Sequence, residues 1–447
     1  MTNFAEDIKA YRDQFGDPEF IEVFLCDING ILRGKWLPGS SVDKFEKGDV
    51  RLPISTYAPN IMGDEVERSG LGIVAGDPDG ILVPIEGTLK PIPWLEQNVA
   101  QLQVEMATLD GRPTGISPRQ ILQNLVASFN EQGLKPVVAT ELEFYICKKR
   151  STMDEAPEPP AYSPQTQNYD LEVLSQTKPI LDEILQSAEI QDLGTDTLIA
   201  EYGAGQFEVN FHHVDDALEA ADKAVLFKRL VRSVVSKYGF EATFMAKPYA
   251  DKPGNGMHVH ASLLDQEGHN VFASDSDEPN KALRDCVSGL IASMEDLQAI
   301  FAPHFNSYRR FQVNSFAPSQ PNWGIDNRGA AIRIPQLTGA GARLEHRIAG
   351  ADTNPYLVLA GILGGMKYGL DHGPILPPSM EAPDYQEPKR LTADWRSATE
   401  RFAASKLAGE IFTEKYRDIF VAIKLDEIEQ LTSIISPMEY RSYLSRF

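Results

Sequence analysis

The spacing of apolar residues predicts a strand-rich first part of the chain. Residues 3–15 have the period of an amphipathic helix, which ends near Gly16. The stretch "EFIEVFLCDINGILRGKWLP" predicts a β-hairpin, because two β-rich runs flank the turn dipeptide Asn29-Gly30. A further pair of strands is predicted in "GIVAGDPDGILVPI", and another strand in "AQLQVEMATLD".

The pattern changes near "DGRPTGISPR", residues 110–119, which we take as a domain boundary. Ser117 followed by Pro118 is typical of a helix start. Apolar residues at helical spacing then predict an amphipathic helix that ends at Gly133. From there strands and helices mix, with strands predicted in "VVATELEFYIC", "IAEYGAGQFEVNFHH", "FEATFMAKPY" and "GMHVHASLL".

Helices dominate the rest of the second part. One long helix is predicted over 215–238, and most of the last hundred residues are predicted to be helical. Two segments, 151–168 and 374–390, are polar and rich in proline, which predicts exposed loops.

Length and charge narrow the class of protein. The chain has 447 residues, enough for two domains, and a net charge of −22, which argues against nucleic acid and anionic membranes as partners. It contains no apolar run of membrane-spanning length and no basic segment followed by an apolar stretch at its start, so we expect no membrane association and no secretory signal. The cysteines, Cys26, Cys147 and Cys286, are scattered, which favours a reducing cytoplasm.

Several acidic residues occupy strand-like, apolar surroundings. Glu141 and Glu143 in "VVATELEFYIC" are two apart, so a strand places both carboxylates on one face, where they repel each other and resist desolvation. Two divalent cations, Mg²⁺ or Mn²⁺, would cancel that repulsion. For any single glutamate an exposed position or an ion pair is the simpler interpretation, but it is weaker for this pair. Other candidate ligands are Glu201 and Glu208 in "EYGAGQFE", His258 in "GNGMHVH" and Glu345 in "ARLEHRIAG".

A cluster of arginines suggests an anion site. Residues 301–350 contain no lysine but six arginines, at 309, 310, 328, 333, 343 and 347. Arginine makes planar, bidentate contacts with carboxylate and phosphate. Interdomain salt bridges are the alternative for any one of them. Metals and arginines are sufficient for phosphoryl transfer, although the chain has no P-loop, nucleophile elbow or Cys–His signature.

The order of the motifs "ELEFY", "EYGAGQFEVN", "GNGMHVHASL", "NSYRRF", "NRGAAIRIP" and "ARLEHRIAGADTNPYL" resembles the glutamine synthetase superfamily over nearly the whole chain. The resemblance implies an α+β fold. A small N-terminal β-grasp domain would cover residues 1–110, and a large catalytic domain with an antiparallel, barrel-like sheet and helices would cover 111–447. It also implies a homo-oligomer, a dodecamer of two hexameric rings, with active sites between subunits.

Carried over by position, the resemblance assigns roles to the candidate residues. Two to three Mg²⁺ or Mn²⁺ ions would be held by two ligand sets: Glu143, Glu201 and Glu208; and Glu141, His258 and Glu345. The glutamate substrate would be bound by Gly254, Arg310 and Arg347. The ATP phosphates would face Arg328 and Arg333, and the rest of the ATP site would include His260 and Ser262. The four arginines Arg310, Arg328, Arg333 and Arg347 would be catalytic.

Four positions depart from ordinary bacterial glutamine synthetases. Phe316 stands where those enzymes have an acidic flap residue, and Leu52 or Pro53 where they have a latch-loop Asp. Ala340 and Pro253 replace a phosphate-contacting Lys and a glutamate-contacting Asn. Losing two acids weakens a site for ammonium, and apolar groups attract the alkyl part of an organic amine. The predicted amine contacts are therefore Phe316 and, in the latch segment 51–57, Ser55.

The favoured hypothesis is an ATP-dependent ligase that joins the γ-carboxylate of L-glutamate to an organic amine through a γ-glutamyl phosphate. Details such as "DVRLPISTYAPNIMG" and "ATFMAKPY" are most similar to the polyamine-using branch of the superfamily, which implies putrescine or another polyamine. The alternatives are a glutamine synthetase that uses ammonium and a ligase for a monoamine or aromatic amine. A catalytically silent relative is disfavoured, because all six predicted metal ligands are present.

Overall fold

Two β-sheets organise the fold of the chain, and a computed structural model describes residues 4–312 and 316–447. The first sheet has six strands in the order β2-β1-β6-β4-β3, with β5 paired to β6. Its strands β1 and β6 run parallel, whereas β1 and β2 form the predicted antiparallel hairpin, an arrangement expected for a β-grasp. The elements of this part are α1 (Phe4–Phe15), β1 (Phe20–Cys26), β2 (Leu32–Pro38), α2 (Asp43–Glu46), β3 (Arg51–Pro53), β4 (Asp79–Pro84), β5 (Lys90–Pro91) and β6 (Val99–Ala107).

Glycines explain one success and one failure in this part. At the hairpin turn Gly30 has φ +79°, and a Cβ there would approach Asn354 Cα at 3.2 Å, so glycine is required. The predicted strand pair in "GIVAGDPDGILVPI" is wrong in its first half, where Gly72–Ala75 forms a 3₁₀ helix. Gly72 and Gly76 have φ of 80° and 78°, which breaks the extended conformation on both sides of the β-branched residues.

The second sheet has eight strands and is nearly closed into a barrel. Their order is β12-β13-β14-β11-β7-β9-β8, with β10 paired to β7, and every pair except β12–β13 is antiparallel. The strands are β7 (Lys135–Lys148), β8 (Thr195–Ala200), β9 (Gln206–Phe211), β10 (Phe240–Thr243), β11 (Met257–Leu264), β12 (Trp323–Ile325), β13 (Ile332–Gln336) and β14 (Arg343–His346). The α+β class is therefore confirmed.

Helices cover this sheet and form the end of the chain. They are α3 (Pro118–Glu131), α4 (Leu171–Ile190), α5 (Ala217–Lys237), α6 (Lys281–Ser293), α7 (Gln298–Phe301), α8 (Pro355–His372), α9 (Trp395–Ala404), α10 (Lys406–Phe412), α11 (Glu414–Thr432) and α12 (Pro437–Tyr443). Ser117 caps α3 as predicted, since its hydroxyl oxygen accepts a hydrogen bond from Gln120 N–H at 3.2 Å. No helix of the described residues is long and apolar enough to cross a membrane.

The two parts of the chain meet through polar contacts. Asn354 caps the largely buried helix α8 and also donates from Nδ2 to the carbonyl oxygen of Asp27 at 2.8 Å, next to the hairpin turn. The first sheet ends at Ala107 and the second begins at Lys135. The domain boundary at residue 110 falls between them and stays a prediction.

Candidate active site

Strand register brings the predicted acidic residues to one face of the second sheet. Glu143 on β7 lies directly opposite Glu208 on β9, and Glu141 on β7 lies opposite His258 on β11. Like charges directly opposite each other in a sheet are destabilising. The pair Glu143–Glu208 therefore has the arrangement expected of a site that binds a cation.

Two further acids complete the cluster. Glu345 on β14 lies opposite His260 of β11. The sequence pattern placed Glu201 within a strand, but the residue lies in the turn between β8 and β9. There its N–H donates to the Gln206 carbonyl at 2.9 Å. All six predicted metal ligands line one cavity of about 790 Å³.

Charge is compensated unevenly within this cluster. Burial raises the pKa of Glu208 well above its usual range, and the carboxylates of Glu141, Glu143 and Glu201 raise it further. Burial also acts on Glu141, but hydrogen bonds from His258 and His260, at 3.2 and 2.9 Å, hold the pKa of Glu141 well below its usual range. Repulsion among the carboxylates on the Glu208 side of the cavity therefore favours the binding of a proton or a cation.

Ligand geometry fits divalent cations. Two groups of residues have ligand atoms that all lie within 4.8 Å of one another. The first group is Glu141, Glu208 and His258, and the second is Glu141, His260 and Glu345. Carboxylate oxygens with one imidazole suit Mg²⁺ or Mn²⁺. The resemblance assigns Glu141 and Glu345 of the second group to a metal, but it assigns His260 to the ATP site.

Five of the six arginines line the same cavity: Arg310, Arg328, Arg333, Arg343 and Arg347. Arg309 does not, since its guanidinium lies over the ring of Phe305, 5.5 Å from the centroid. Glu345 joins the two kinds of charge, because it accepts hydrogen bonds from Arg333, at 2.9 Å, and from Arg347. The buried carboxylate of Glu345 therefore connects the acidic residues of the cavity with its arginines.

Close packing positions the glutamate-binding candidates. Arg310 is buried and donates from one terminal nitrogen to the Ile348 carbonyl at 2.7 Å. A Cβ at Gly254 would lie 2.5 Å from the Ala246 carbonyl oxygen and 2.9 Å from Arg310 Cγ, so only glycine leaves room at this position of the wall.

Two predicted contacts lie away from the cavity wall. Ser262 is buried on β11, and Ser55 lies in the 3₁₀ segment Ile54–Tyr57 beside the first sheet; neither is among the described residues that line the cavity. The roles given to them, in binding ATP and an amine, stay predictions. Phe316 does line the cavity.

Sequence reasoning missed Tyr202 and His213, which also line the cavity. The Tyr202 ring packs against Phe316, with centroids 5.2 Å apart. His213 lies near His260, with ring centroids 5.8 Å apart, and burial together with the charge of Arg343 lowers the pKa of His213 to about 4. Their positions within the predicted strand "IAEYGAGQFEVNFHH" are the only signal that the sequence contains.

Arg343 controls the orientation of His260. Its Nε–H donates to His260 Nδ1 at 3.2 Å. Arginine cannot accept a hydrogen bond, so Nδ1 of His260 carries no proton and the Nε2–H donates to Glu141. The two hydrogen bonds thereby fix the tautomer and the orientation of His260 beside the candidate metal ligands.

Acids that face one another in a sheet, beside arginines in one cavity, define the kind of site that enzymes of metal-assisted phosphoryl transfer use. The model of "Glutamine synthetase, catalytic domain" matches residues 115–443. The chain is 36% identical over 443 residues to gamma-glutamylputrescine synthetase PuuA of Escherichia coli (strain K12), covering 98% of this chain and 94% of the relative. It is 32% identical over 443 residues to glutamate–isopropylamine ligase of Pseudomonas sp, covering 95% and 94%.

Structural comparison agrees. A solved structure of GmaS in complex with ADP matches with a TM-score of 0.84 and 24% identity, covering 98% of this chain and 99% of that chain, which shows the same fold. The chain belongs to the glutamine synthetase family and is a ligase of that family.

Proposed function

We propose that this enzyme joins the γ-carboxylate of L-glutamate to an organic amine, with putrescine or another polyamine as the substrate, and converts ATP to ADP and phosphate. Two relatives are named for putrescine and isopropylamine, which supports an organic amine rather than ammonium as the substrate. The observation that carries the proposal is the aromatic pair of Tyr202 and Phe316 on the wall of a cavity that is otherwise rich in charge.

The first step activates glutamate. Arg310 and Arg347, beside the backbone of Gly254, hold its carboxylates. A γ-carboxylate oxygen then forms a bond to the terminal phosphorus of ATP, and ADP leaves. Arg328 and Arg333 neutralise the transferring group. His260 and Ser262 contact the nucleotide. Two or three Mg²⁺ or Mn²⁺ ions would supply further charge neutralisation, held by Glu143, Glu201 and Glu208 and by Glu141, His258 and Glu345.

The second step forms the amide. The neutral amine nitrogen attacks the acyl carbon of γ-glutamyl phosphate, the bond from carbon to the phosphate oxygen breaks, phosphate leaves and the nitrogen loses a proton. Ser55 would reach such a site only from a second copy of the chain. Assembly as a dodecamer of two hexameric rings, with the latch segment 51–57 at a neighbour's cavity, is therefore part of the proposal.

Apolar contact decides between amine and ammonium. Burying two methylene groups of an alkyl amine contributes about 1.6 kcal/mol, more than a tenfold preference over ammonium. The second candidate is a glutamine synthetase, because enzymes of that name are also relatives of the chain. The position of Phe316, where an acid would favour ammonium, argues for the amine.

An amine panel tests the proposal. Phosphate release and γ-glutamyl amide formation are measured with ATP, glutamate and either ammonium, butylamine, putrescine or an aromatic amine. We expect kcat/KM to be at least about tenfold higher for putrescine than for ammonium. Ammonium as the best substrate would identify a glutamine synthetase, and no turnover with any amine would identify a silent relative.

A variant pair sharpens this test. Phe316→Glu should shift the substrate preference towards ammonium. Phe305→Glu is the control and should leave the preference unchanged, because Phe305 is exposed and lies outside the cavity lining. An unchanged preference in Phe316→Glu would contradict the role of this residue even if amines are the substrates.

A further inference from the structure

Two aromatic side chains form an apolar surface on the rim of the charged cavity. The rings of Tyr202 and Phe316 are tilted by 40° with centroids 5.2 Å apart, and the residues are 40% and 71% exposed. Aromatic side chains usually bury most of their surface. Exposed rings that line a cavity are therefore candidates for contact with a ligand.

Backbone conformation and backbone hydrogen bonds distinguish these two residues. Phe316 has φ +61°, a left-handed conformation that bulky residues rarely adopt and that is common at ligand sites. The N–H of Tyr202 donates to the Glu201 carboxylate at 3.2 Å, and its carbonyl accepts from the Gln167 N–H at 3.0 Å. Tyr202 is thus held by the turn before β9 and by the segment that packs on that turn.

The position of the pair separates it from the nucleotide end of the cavity. Tyr202 precedes strand β9 and His213 follows it, and the six residues of Gln206–Phe211 span about 17 Å. His213 lies with His260 and Arg343 at the far end. Glu201 and Arg328, where the acyl group would react, lie at the Tyr202 end, since the charge of Arg328 acts on the Glu201 carboxylate.

The chemistry of the pair suits an alkyl chain that carries a positive charge. Ring faces attract ammonium groups and also bury methylene groups. A diamine could place one nitrogen at the reacting carbon and extend its methylenes and second ammonium across the two rings.

We infer that Tyr202, stacked on Phe316, is a specificity-determining residue that binds the methylene chain and the distal ammonium group of an alkyl diamine. This inference rests on the proposed function and names the substrate class of the same site. Neither the sequence motifs nor the names of the relatives assign a role to Tyr202.

Three variants test the inference: Tyr202→Ala, Tyr202→Phe and Tyr238→Ala. Tyr238 is a matched control, because it is 39% exposed and lies outside the cavity lining. For each, kcat/KM is measured with putrescine, butylamine and ammonium, and KM is measured for ATP and glutamate.

We expect Tyr202→Ala to lower kcat/KM for putrescine by roughly tenfold to a hundredfold, to lower that for butylamine less, and to leave ammonium and the KM for ATP unchanged. Tyr202→Phe keeps the ring and should retain the wild-type preference. Tyr238→Ala should match the wild type with every substrate.

Each other result overturns the inference in a distinct way. Equal losses with putrescine and ammonium would show a general structural role, and a raised KM for ATP would show a nucleotide contact. An unchanged preference in Tyr202→Ala, with a wild type that uses organic amines, would refute only the role of Tyr202. A wild type that uses no organic amine would refute the proposed function and this inference together.

Discussion

Two clusters of buried charge in this structure differ in how that charge is balanced. The interface cluster consists of Asp27, Asn29, Lys424 and Glu427. The side chains of Lys424 and Glu427 are at most 1% exposed and form an ion pair at 2.9 Å. Lys424 also donates to Asn29 Oδ1 at 2.6 Å, and Glu427 accepts from the Ile61 N–H at 2.8 Å. Here each charge has its partner within the chain.

The acidic cluster of the cavity is different. It consists of the five carboxylates of Glu141, Glu143, Glu201, Glu208 and Glu345. Glu345 is paired with two arginines, but Glu143 and Glu208 face each other across paired strands. Matched buried charges join two parts of a protein, whereas unmatched ones reduce stability and indicate a ligand. The comparison predicts that changes in the first cluster affect stability and changes in the second affect catalysis.

The largest effect is expected in the acidic cluster. Glu141→Ala and Glu345→Ala each remove a proposed metal ligand, and bound metals contribute several kcal/mol to catalysis. We expect folded proteins whose kcat falls by roughly 100- to 10,000-fold, measured by phosphate release at saturating Mg²⁺. Glu131→Ala, on the exposed face of α3, is the control. Wild-type activity in either cavity variant would show that it does not bind a metal needed for catalysis.

The interface cluster should respond in stability. Lys424→Met leaves the Glu427 carboxylate buried without its cation, which is expected to lower the free energy of unfolding by about 3–5 kcal/mol. The double variant Lys424→Met/Glu427→Gln removes both charges and should recover most of that loss. Denaturant titration of both variants checks this, and equal losses in the two would contradict the balance of charge in this cluster.

Local periodicity explains which parts of the acidic cluster the sequence reveals. Alternation along β7 predicts that Glu141 and Glu143 share a face, and the structure places both on the cavity wall. The period of a strand does not state which distant strand lies opposite, so the pairing of Glu143 with Glu208 emerges only from the register. Tyr202 was missed because a single tyrosine in a turn has no period at all.

The interface cluster is invisible to local patterns for a different reason. Lys424 and Asn29 are 395 positions apart, and the surroundings of Lys424 are typical of an ordinary helix. Only the packing of α11 against the hairpin turn brings them together. The failure at Gly72–Ala75 has a local cause instead, since β-branched residues favour a strand but the glycines at positive φ exclude it.

The arginines of the cavity allow a smaller, more specific comparison. Arg347→Lys keeps the charge but loses the planar, bidentate geometry, so we expect kcat/KM for glutamate to fall by about 10- to 100-fold. Arg309→Lys is the matched control, because Arg309 lies outside the cavity and stacks on Phe305. Equal behaviour of the two variants would exclude Arg347 from glutamate binding.

The smallest expected effect is a pH dependence within the interface cluster. Burial raises the pKa of Asp27 from 3.8 to about 6, although hydrogen bonds from the backbone N–H of Ile31 and Asn29 and from Arg33 lower it. The folded state therefore binds a proton more tightly than the unfolded state does. Stability from this group is reduced above pH 6 and increases as the pH falls through 6 towards 3.8.

Between pH 7 and pH 5 this linkage amounts to about 1 kcal/mol of added stability. Asp27→Asn cannot take up the proton, so its free energy of unfolding should lack that increase. The measured quantity is the difference between wild type and Asp27→Asn at the two pH values, because the buried His304, whose pKa is lowered by burial and by the charge of Lys424, contributes equally to both proteins. A difference that stays constant from pH 7 to pH 5 would show that the Asp27 carboxylate is as well matched as the pair of Lys424 and Glu427.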